Sequence, residues 1–504
     1  MIVVKSEGHS FEREIGLILA LFEEEPDIRF VTEEYTPANG ETYIQLTLHP
    51  GEKGVHTQGS IEKGDTRFTY DYDRLYPAFD EKSMRKTAKQ AISYTLLMLM
   101  EQLTGVEQGW GILTGIRPTK LLHQFLSSGM TKEEAHRRLS TDYMVRPYKL
   151  DLLQKIVDLQ LAVVPDFYSI DQELSVYIGI PFCPTKCAYC TFPAYAIKSH
   201  TASVNPFLEG LHYEIEQIGA WLKAHDQRIT SIYFGGGTPT SITADDMDRL
   251  FASMHESFPH MDKVRELTVE AGRPDTITPE KLEVMKKWNV DRISINPQSF
   301  TQETLHAIGR HHTVEETIEK YHLAMEMGLR NINMDLIIGL PNEGLAEFTH
   351  SLEQVGKLMP ASLTVHTLSF KRASEMTQNK DRYCVADRDE IRAMMELAEK
   401  WTQEQGYQPY YLYRQKNILG NLENVGYSMP GQESIYNIMI MEEVQSILGL
   451  GCGAVSKLMQ PGSGKLTRWP NPKDPKTYNE TYRELVKAKL ADMDEIYGRS
   501  VTQS

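Results

Sequence analysis

The sequence predicts an α/β protein built around a partial (βα)6 barrel, with an N-terminal α+β module before the barrel and a C-terminal extension after it. Beyond residue 173, six short apolar runs rich in β-branched residues alternate with amphipathic stretches of helical period. That alternation is typical of a parallel sheet wrapped by helices. With 504 residues, the chain is long enough for about three domains. We predict these domains at 1–168, 169–380 and 381–504.

The N-terminal module is predicted from two kinds of pattern. Between residues 29 and 72, apolar and polar residues alternate between turn signals, which indicates a small antiparallel sheet. Residues 82–103 and 131–161 then have helical periodicity, and Thr131 is a candidate N-cap because two glutamates follow it in the first turn. The sequence assigns this module no role.

Six strands are predicted for the barrel, with five helices between them. The strands are 174–180, 229–234, 266–270, 292–296, 331–338 and 362–368. The helices are 205–224, 243–257, 278–288, 313–327 and 345–357. Barrels of this kind place their chemistry at the carboxyl ends of the strands, so polar residues at those ends are interpreted first as site residues.

The C-terminal extension is predicted to begin with a helix at 387–405. A tyrosine-rich segment follows at 410–426, and two apolar stretches lie within 435–450. These stretches either extend the sheet or cover the mouth of the barrel. The last segment, 478–497, has the pattern of a polar surface helix.

Composition excludes several classes of protein. Lys and Arg number 53 and Asp and Glu number 69, so the formal net charge is −16, which disfavours nucleic acid as a partner. No apolar run approaches the ~20 residues that cross a bilayer, and we expect no membrane span. Five cysteines in so long a chain are too few for a disulfide framework, which indicates a reducing compartment and a cytoplasmic protein.

Cys183, Cys187 and Cys190 are the most informative feature of the sequence, because they form a CxxxCxxC pattern directly after the first barrel strand. Two kinds of metal site fit this pattern. One is a structural zinc site completed by His200 as the fourth ligand. The other is a [4Fe–4S] cubane bound at three corners. Such a cubane has one iron free to chelate a small molecule, which indicates catalysis.

Gly235, Gly236 and Gly237 follow the second strand, where residues without side chains let the backbone approach a ligand closely. The triplet has neither the Lys and Ser/Thr of a phosphate loop nor the spacing of a dinucleotide fingerprint. By itself it also fits an ordinary turn at the end of a strand. Its position after the second strand favours the functional interpretation.

Four polar residues lie at or near the ends of successive strands. Glu270 ends the third strand, Gln298 follows the fourth, Arg310 lies beyond it, and Asp335 lies in the fifth. Each of them alone is more often a solvated or ion-paired residue. Together they favour a ligand site, because buried strand ends rarely keep such groups without a ligand.

The sequence resembles the radical S-adenosylmethionine (SAM) enzymes, and within them the oxygen-independent coproporphyrinogen III oxidase group. The resemblance rests on Tyr177, the Ile-Pro-Phe run at 180–182, the cysteine triad, and the Gly-Gly-Gly-Thr-Pro loop at 235–239. It spans roughly residues 170 to 460. The stretches 111–120 and 410–417 are similar to the HemZ branch of that group.

The resemblance implies cofactors, partners and residue roles. It implies a [4Fe–4S] cluster whose open iron binds the amino and carboxylate groups of SAM, and a one-electron donor such as flavodoxin or ferredoxin. The reduced cluster would cleave SAM to a 5′-deoxyadenosyl radical, which abstracts hydrogen from a propionate of coproporphyrinogen III. Loss of carbon dioxide then leaves a vinyl group, and two such events give protoporphyrinogen IX.

Site residues follow from the same resemblance. The implied cluster ligands are Cys183, Cys187 and Cys190. The implied SAM-binding residues are Tyr177, Gly235, Gly236, Gly237, Thr238, Glu270, Gln298, Arg310 and Asp335. A tetrapyrrole substrate with four propionates needs cations around an apolar cleft, and the candidates are Arg372, Arg414 and Lys416.

The sequence departs from the oxidase pattern at two positions. The His that usually precedes Ile-Pro-Phe-Cys is Gly179, and a Cys often found two residues after the third cluster ligand is Phe192. Heme-chaperone relatives also have Phe there, so a heme-binding chaperone of the same fold without decarboxylase activity is the alternative. A tRNA-modifying methylthiotransferase would normally need a second three-cysteine cluster, and only Cys384 and Cys452 remain for one.

Overall fold

The computed structural model describes residues 1–23, 25–115, 117–369, 374–379, 383–415, 418, 422–460 and 464–498. By its internal packing the chain divides into two units, Met1–Lys155 and Ile156–Ser504. The three-domain division made from the sequence stays a prediction. Among the described helices, none combines the length and the apolar character needed to cross a bilayer.

The first unit contains a five-stranded sheet and its covering helices. Its strands are β1 (Ile2–Glu7), β2 (Ile28–Val31), β3 (Thr42–Pro50), β4 (Gly54–Lys63) and β5 (Thr66–Leu75). Its helices are α1 (Glu12–Leu19), α2 (Glu81–Thr104), α3 (Pro118–Ser127) and α4 (Lys132–Tyr143). The next helix, α5 (Pro147–Val163), begins in this unit and ends in the second.

The sheet of the first unit is mixed: the antiparallel sheet predicted within residues 29–72 is confirmed for β3, β4 and β5, whereas β2 pairs in parallel with β1, a strand that lies before that range. Strands β3, β4 and β5 are antiparallel, but β1 lies between β2 and β3 and pairs in parallel with both. Val3 and Val4 of β1 are fully buried. A six-residue strand buried on both faces has no alternation to reveal it.

The helical region after α2 has a break that periodicity did not predict. Thr131 does cap α4, accepting a hydrogen bond from the Glu134 amide at 3.2 Å, which confirms the predicted N-cap. The predicted helix 131–161 is nevertheless two helices. Met144 takes a left-handed backbone with φ of 56°, and Pro147 starts the next helix, since proline is tolerated at a first helical position and not in a helix interior.

The second unit contains the remaining elements. Its strands are β6 (Leu174–Ile180), β7 (Phe182–Cys183), β8 (Tyr195–Ala196), β9 (Ile229–Gly236), β10 (Glu266–Val269), β11 (Arg292–Ser294), β12 (Ile332–Ile338), β13 (Ser362–Thr367), β14 (Gln408–Tyr413), β15 (Asn424–Ser428), β16 (Ser446–Gly451), β17 (Val455–Met459) and β18 (Leu466–Pro470). Its helices after α5 are α6 (Thr201–Ala224), α7 (Ala244–Ser257), α8 (Pro279–Lys287), α9 (Gln302–Ala307), α10 (Val314–Glu326), α11 (Leu345–Leu358), α12 (Glu375–Gln378), α13 (Arg388–Glu404), α14 (Ile435–Glu442) and α15 (Pro475–Gly498).

Six parallel strands form the centre of the second unit, in the spatial order β6, β9, β10, β11, β12, β13. Each lies beside the next one along the chain, and helices connect them, which confirms the predicted partial (βα)6 barrel. The strands are buried along nearly their whole length because helices and the barrel interior cover both faces. Their carboxyl ends therefore meet at one rim.

Both edges of this parallel core are extended. Beyond β13, β15 and β14 pair antiparallel. Beyond β6, β16 pairs in parallel, and β17 and β18 follow antiparallel. One of the two apolar stretches within 435–450 thus extends the sheet, and the other forms α14. The β16–β17 turn closes over Gly179, where an added Cβ would lie 3.1 Å from the Cys452 carbonyl oxygen.

The last helix is not the polar surface helix that its composition suggested. Lys489 of α15 is fully buried, and its Nζ donates to Glu214 Oε1 and to the Gly449 carbonyl, each at 2.6 Å. Tyr478 donates to the other Glu214 oxygen at 2.7 Å, and that oxygen also accepts from the Gly451 amide. A buried charge is tolerated only when it is paired, so this charged residue belongs to the core between α15, α6 and β16.

Candidate active site at the strand ends

A cavity of about 440 Å³ lies at the carboxyl ends of the parallel strands. Its lining comes from β6 and the cysteine loop 183–190, from the ends of β9 to β13, and from β14 and α14. All three clustered cysteines contribute to it. The barrel thus brings residues that are separated by more than 200 positions in the chain to one place.

The cysteine loop is held from outside by backbone contacts. The Ala188 amide donates to the Ile308 carbonyl at 3.0 Å, and Thr185 Oγ1 donates to the Gly309 carbonyl at 2.9 Å. Cys183 is buried at the end of β7, whereas Cys187 and Cys190 are half-buried. Burial raises the pKa of the Cys183 thiol to about 12, so its thiolate form requires positive charge or a metal beside it.

The glycine triplet lies directly against the first cysteine. Gly236 has a φ of +110°, which L side chains rarely adopt. A Cβ on Gly237 would lie 2.6 Å from the Phe182 carbonyl oxygen and 3.0 Å from Cys183 Sγ. Thr238 completes this contact, with its Oγ1 3.3 Å from the same sulfur. The backbone therefore reaches the cavity wall where any side chain would block it.

Arg310 is 2% exposed and spans the ends of two strands. Its Nη2 donates to the Gly272 carbonyl at 2.6 Å and to the Asn296 carbonyl at 2.9 Å, and its Nη1 donates to the Tyr189 hydroxyl at 3.3 Å. These partners are all neutral, and Nε is buried without a partner. The guanidinium thus keeps its positive charge and one donor for a ligand.

Three neighbouring side chains at the end of β11 also have buried polar atoms without a partner. They are Ser294 Oγ, Asn296 Oδ1 and Gln298 Oε1. Each such atom costs about 1–3 kcal/mol unless something bonds to it. Gln298 in addition has a φ of 68°, a left-handed backbone that is uncommon for a residue other than glycine and is typical of ligand sites.

The two carboxylates of the cavity differ in their surroundings. Burial, and the nearby negative charge of Asp335, raise the pKa of Glu270 to about 8. Burial also opposes ionisation of Asp335, but hydrogen bonds with His366 and from Asn333 keep its pKa below the ordinary value. Asn333 Nδ2 lies 2.8 Å from Asp335 Oδ1, and His366 Nε2 lies 3.5 Å from Oδ2.

Polar residues from β12 to β14 bond to one another rather than into the cavity. The Tyr413 hydroxyl lies 3.3 Å from His366 Nδ1 and accepts from Gln415 Nε2 at 3.3 Å. Near them, the rings of Tyr177, Tyr233 and Tyr436 stack, with centroids 4.4 Å apart for Tyr233 and Tyr436. This part of the wall is aromatic, and its linked polar side chains contact one another.

Most of the residues predicted from the sequence line this cavity. They are Tyr177, Cys183, Cys187, Cys190, Gly236, Gly237, Thr238, Glu270, Gln298, Arg310 and Asp335. Gly235 lies just behind the wall, where a Cβ would meet Glu270 Oε2 at 3.0 Å. Arg414 is buried and is not in the lining. Arg372 and Lys416 lie outside the described residues.

Other residues of the lining were missed by the sequence analysis. They are Lys186, Arg273, Ser294, Asn296, His366, Tyr413 and Tyr436. Asn296 and His366 lie at or next to strand ends, and that position was the available signal. Tyr436 lies in α14, far beyond the six barrel strands in the sequence, and only the fold places it here.

Three cysteines on one loop are a donor set that suits a cubane bound at three corners. In the ranges that the structure describes, no three His, Cys, Asp or Glu side chains meet closely enough to hold one ion. Cubane ligands bind separate corners and need not converge on a point. His200, the fourth ligand of the zinc alternative, is not in the cavity lining, and its Nδ1 lies 3.0 Å from the Ala196 carbonyl oxygen.

Comparison with known proteins agrees with the family resemblance seen in the sequence. A family model described as the radical SAM superfamily matches residues 177–355. A Bacillus subtilis protein described as oxygen-independent coproporphyrinogen-III oxidase-like protein HemZ is 58% identical over 504 residues, which cover 99% of each chain. Heme chaperone HemW of Haemophilus influenzae is 29% identical over 308 residues, 60% of this chain and 75% of its own.

A solved structure supports the fold. Coproporphyrinogen III oxidase (HemN) from Escherichia coli, described as a radical SAM enzyme, matches with a TM-score of 0.52. The match covers 66% of this chain and 73% of that chain, at 20% sequence identity. At that identity the likeness concerns the fold alone.

Proposed function

The chain belongs to the oxygen-independent coproporphyrinogen III oxidase-like family of radical SAM proteins, and from that premise we propose that it decarboxylates coproporphyrinogen III. Two propionate side chains would become vinyl groups, giving protoporphyrinogen IX without oxygen. For each one, a radical would take one hydrogen atom, carbon dioxide would leave, and the remaining electron would pass to a one-electron acceptor. Radical SAM proteins use a [4Fe–4S] cluster and SAM. A cytoplasmic location, inferred from the sparse cysteines, is part of the same proposal.

We assign the cluster to the three cysteines of the loop, and SAM to the neighbouring part of the cavity wall beyond Gly237. Cys183, Cys187 and Cys190 would hold the cluster at three corners. Arg310 offers a charged donor for the SAM carboxylate, and Glu270 an acidic group for its amine. Tyr177, Gln298, Asp335, Thr238 and the glycine triplet complete the site. When bound, the cluster and SAM would together supply radical chemistry for removal of a hydrogen atom from a propionate.

The observation that supports this assignment best is the group of unpartnered polar atoms beside the cysteine loop. Arg310 Nε, Asn296 Oδ1 and Gln298 Oε1 are buried, lie in one lining and lack partners. A folded protein rarely keeps such atoms without a function. A ligand with both donors and acceptors, as the amino acid and ribose parts of SAM have, would satisfy them.

The substrate would lie against the aromatic part of the wall. Tyr411, Tyr413 and Tyr436 offer ring faces for a macrocycle, and Phe192 at the cavity is 63% exposed. Lys186, exposed at the edge of the lining, is the described cation best placed for a propionate. Arg372 and Lys416 remain candidates from the sequence, whereas the buried position of Arg414 disfavours a direct contact.

A one-electron donor such as flavodoxin or ferredoxin belongs to the same proposal. Reduction of a cluster requires close approach of the donor to its ligands. Cys187, Cys190 and Lys186 are all partly solvent-accessible, so the cysteine loop is the side from which electrons would enter. Nothing in this route requires nucleic acid, and the charge of −16 does not favour it.

A heme chaperone function is the second candidate. Phe192 stands where oxidases often have a cysteine, and the HemW relative covers 60% of the chain. A chaperone would use the aromatic wall and Phe192 to hold the heme face, with no chemistry at a propionate. The two candidates share the cluster and SAM residues and differ only in what the bound tetrapyrrole undergoes.

An anaerobic assay separates the candidates. Reconstituted full-length protein is incubated with SAM, a one-electron reductant and coproporphyrinogen III, and carbon dioxide, 5′-deoxyadenosine and porphyrin products are measured. Vinyl products with stoichiometric 5′-deoxyadenosine support the decarboxylase. Tight heme retention without any turnover contradicts it and supports the chaperone. Cys384→Ala, at an exposed cysteine outside the site, is the matched control for cysteine variants.

A further inference from the structure

Arg273 makes a contact to the cysteine loop that the proposed function does not use. Its side chain is 4% exposed. Its Nη1 donates to Cys187 Sγ over 3.9 Å. The same nitrogen lies 3.3 Å from the Thr185 carbonyl oxygen and 3.1 Å from Thr185 Oγ1. One nitrogen of a buried guanidinium is therefore held against two residues of the loop, one of them a proposed cluster ligand.

Asp275 fixes the orientation of that guanidinium. Its two oxygens accept from Arg273 Nε and Nη2, each at 3.0 Å, in a bidentate pair. The pair fixes the plane of the guanidinium. Nη1 is the nitrogen that remains, and the pair directs it at the loop. Asp275 also offsets part of the positive charge.

The buried side chains around Arg273 leave a net positive charge close to Cys187 Sγ. Arg310, the second buried guanidinium near the loop, donates only to neutral oxygens. His312 is buried and neither ring nitrogen has a partner. Burial and the two arginines lower the pKa of His312 to about 3, so it contributes no charge at neutral pH. Asp275 is then the anion bonded directly to Arg273.

We propose that Arg273 raises the reduction potential of the cluster by donating an N–H to Cys187 Sγ. The inference rests on the proposed function, because it takes Cys187 as a cluster ligand. Reduction by a one-electron donor adds one electron, and so one negative charge, to the cluster and its thiolates. Hydrogen bonds to the sulfurs and nearby positive charge favour that state. Asp275 has the opposite effect, since it offsets the charge of the guanidinium.

The test uses two variants whose effects have opposite signs. The full chain, reconstituted with iron and sulfide and free of SAM and substrate, is titrated with dithionite while electron paramagnetic resonance follows the reduced state. Arg273→Met should shift the midpoint to a more negative potential, by about a tenfold change in the reduction equilibrium, or ~59 mV for one electron. Asp275→Asn should shift it to a more positive potential.

Opposite shifts support the inference, because the loss of a merely structural ion pair would act alike in both variants. Shifts of the same sign, or none, in variants that still bind four irons overturn it. If Arg273→Met binds fewer than four irons, the Asp275→Asn variant is the test. A negative shift of its midpoint potential, or no shift, then contradicts the inference. A wild-type chain that takes up no cluster contradicts the proposed function instead. The midpoint potential of Arg273→Lys should lie between those of wild type and Arg273→Met, since lysine keeps the positive charge but has no planar guanidinium.

Discussion

The two sides of the cavity differ in how their polar atoms are satisfied. The cysteine side, formed by the cysteine loop, the ends of β9 to β11 and Arg310, has buried oxygens and a guanidinium nitrogen without partners. The tyrosine side, formed by β12, β13, β14 and α14, joins Asn333, Asp335, His366, Tyr413 and Gln415 in one chain of contacts.

This difference separates a surface prepared for a ligand from a surface that is complete without one. Unpartnered buried atoms destabilise the folded chain until a ligand bonds to them. A chain of satisfied contacts makes the opposite contribution, because it stiffens the wall. We therefore expect substitutions of the unpartnered residues on the cysteine side to weaken SAM binding strongly, and substitutions of the linked residues on the tyrosine side to affect SAM binding less and stability more.

The largest effect is expected from the cysteines themselves. Cys183→Ala should abolish assembly of the four-iron cluster, because only two of three ligands remain. Iron and sulfide content and the SAM-dependent change in the electron paramagnetic resonance spectrum measure this. Cys384→Ala should keep both at the wild-type level. An equal loss of iron and sulfide in the two variants would contradict the assignment of Cys183 as a cluster ligand.

Arg310→Met is expected to have the next largest effect. It removes a buried charged donor from the proposed carboxylate site, and we expect SAM affinity to fall about 100-fold, or ~3 kcal/mol. Equilibrium dialysis with the reconstituted chain measures the affinity. Lys186→Met also removes a cation from the lining, but not one assigned to SAM, and should change the affinity less than twofold. A similar loss of SAM affinity in Arg310→Met and Lys186→Met would show that the overall charge of the cavity, and not a contact of Arg310 with the carboxylate, is responsible.

Two glutamines allow a matched comparison between the sides. Gln298→Ala should weaken SAM binding about tenfold, because one hydrogen bond of about 1.4 kcal/mol is lost. Gln415→Ala, on the tyrosine side, should weaken it less than twofold, since that side chain bonds to the Tyr413 hydroxyl. The same binding measurement serves both variants. If Gln415→Ala has the larger effect, the assignment of the two sides is reversed.

The smallest effect concerns the two carboxylates and thermal stability. Glu270 has a pKa of about 8 in the folded chain, above its unfolded value, so folding binds a proton and stability falls as pH rises from about 4.5 to 8. Asp335, with a lowered pKa, stabilises the fold above its unfolded pKa. In the cluster-free chain at pH 8.5, Glu270→Gln should raise the melting temperature by a few degrees and Asp335→Asn should lower it.

The pH dependence provides the control for that pair. The gain from Glu270→Gln should shrink when the melting temperature is measured at pH 6, where the wild-type side chain is protonated. The loss from Asp335→Asn should persist at both pH values. A pH-independent gain in Glu270→Gln would show that packing, and not the charge of the carboxylate, is responsible.

Sequence reasoning predicted the barrel well because each element had a local signal. Strand 174–180 is found as predicted, and Thr243, Thr278 and Thr313 cap helices α7, α8 and α10 close to the predicted starts. Continuous apolar runs and capping residues are short-range features. By contrast, β1 and the buried face of α15 depend on partners far away in the chain, which periodicity does not reveal.

The site residues were likewise predictable only where a local signal in the sequence marked them. The cysteine spacing and the polar strand ends are visible in the sequence, and the structure brings those residues to one cavity. Arg273 was missed because its role depends on contacts to Cys187 and Thr185, 86 and 88 residues away. Tyr436 and Tyr413 enter the wall from beyond the barrel, so no strand-end rule identifies them.

The closure of the β16–β17 turn over Gly179 has a consequence for protein engineering. The Cys452 carbonyl and the Tyr177 ring occupy the space where a larger side chain at 179 would begin. Gly179→His alone would therefore press on the turn, which would have to shift by a few tenths of an ångström to accept the histidine of the oxidase pattern. We therefore expect a graft of that histidine to be tolerated better when the turn residues 451–454 are exchanged with residue 179 than when residue 179 is changed alone.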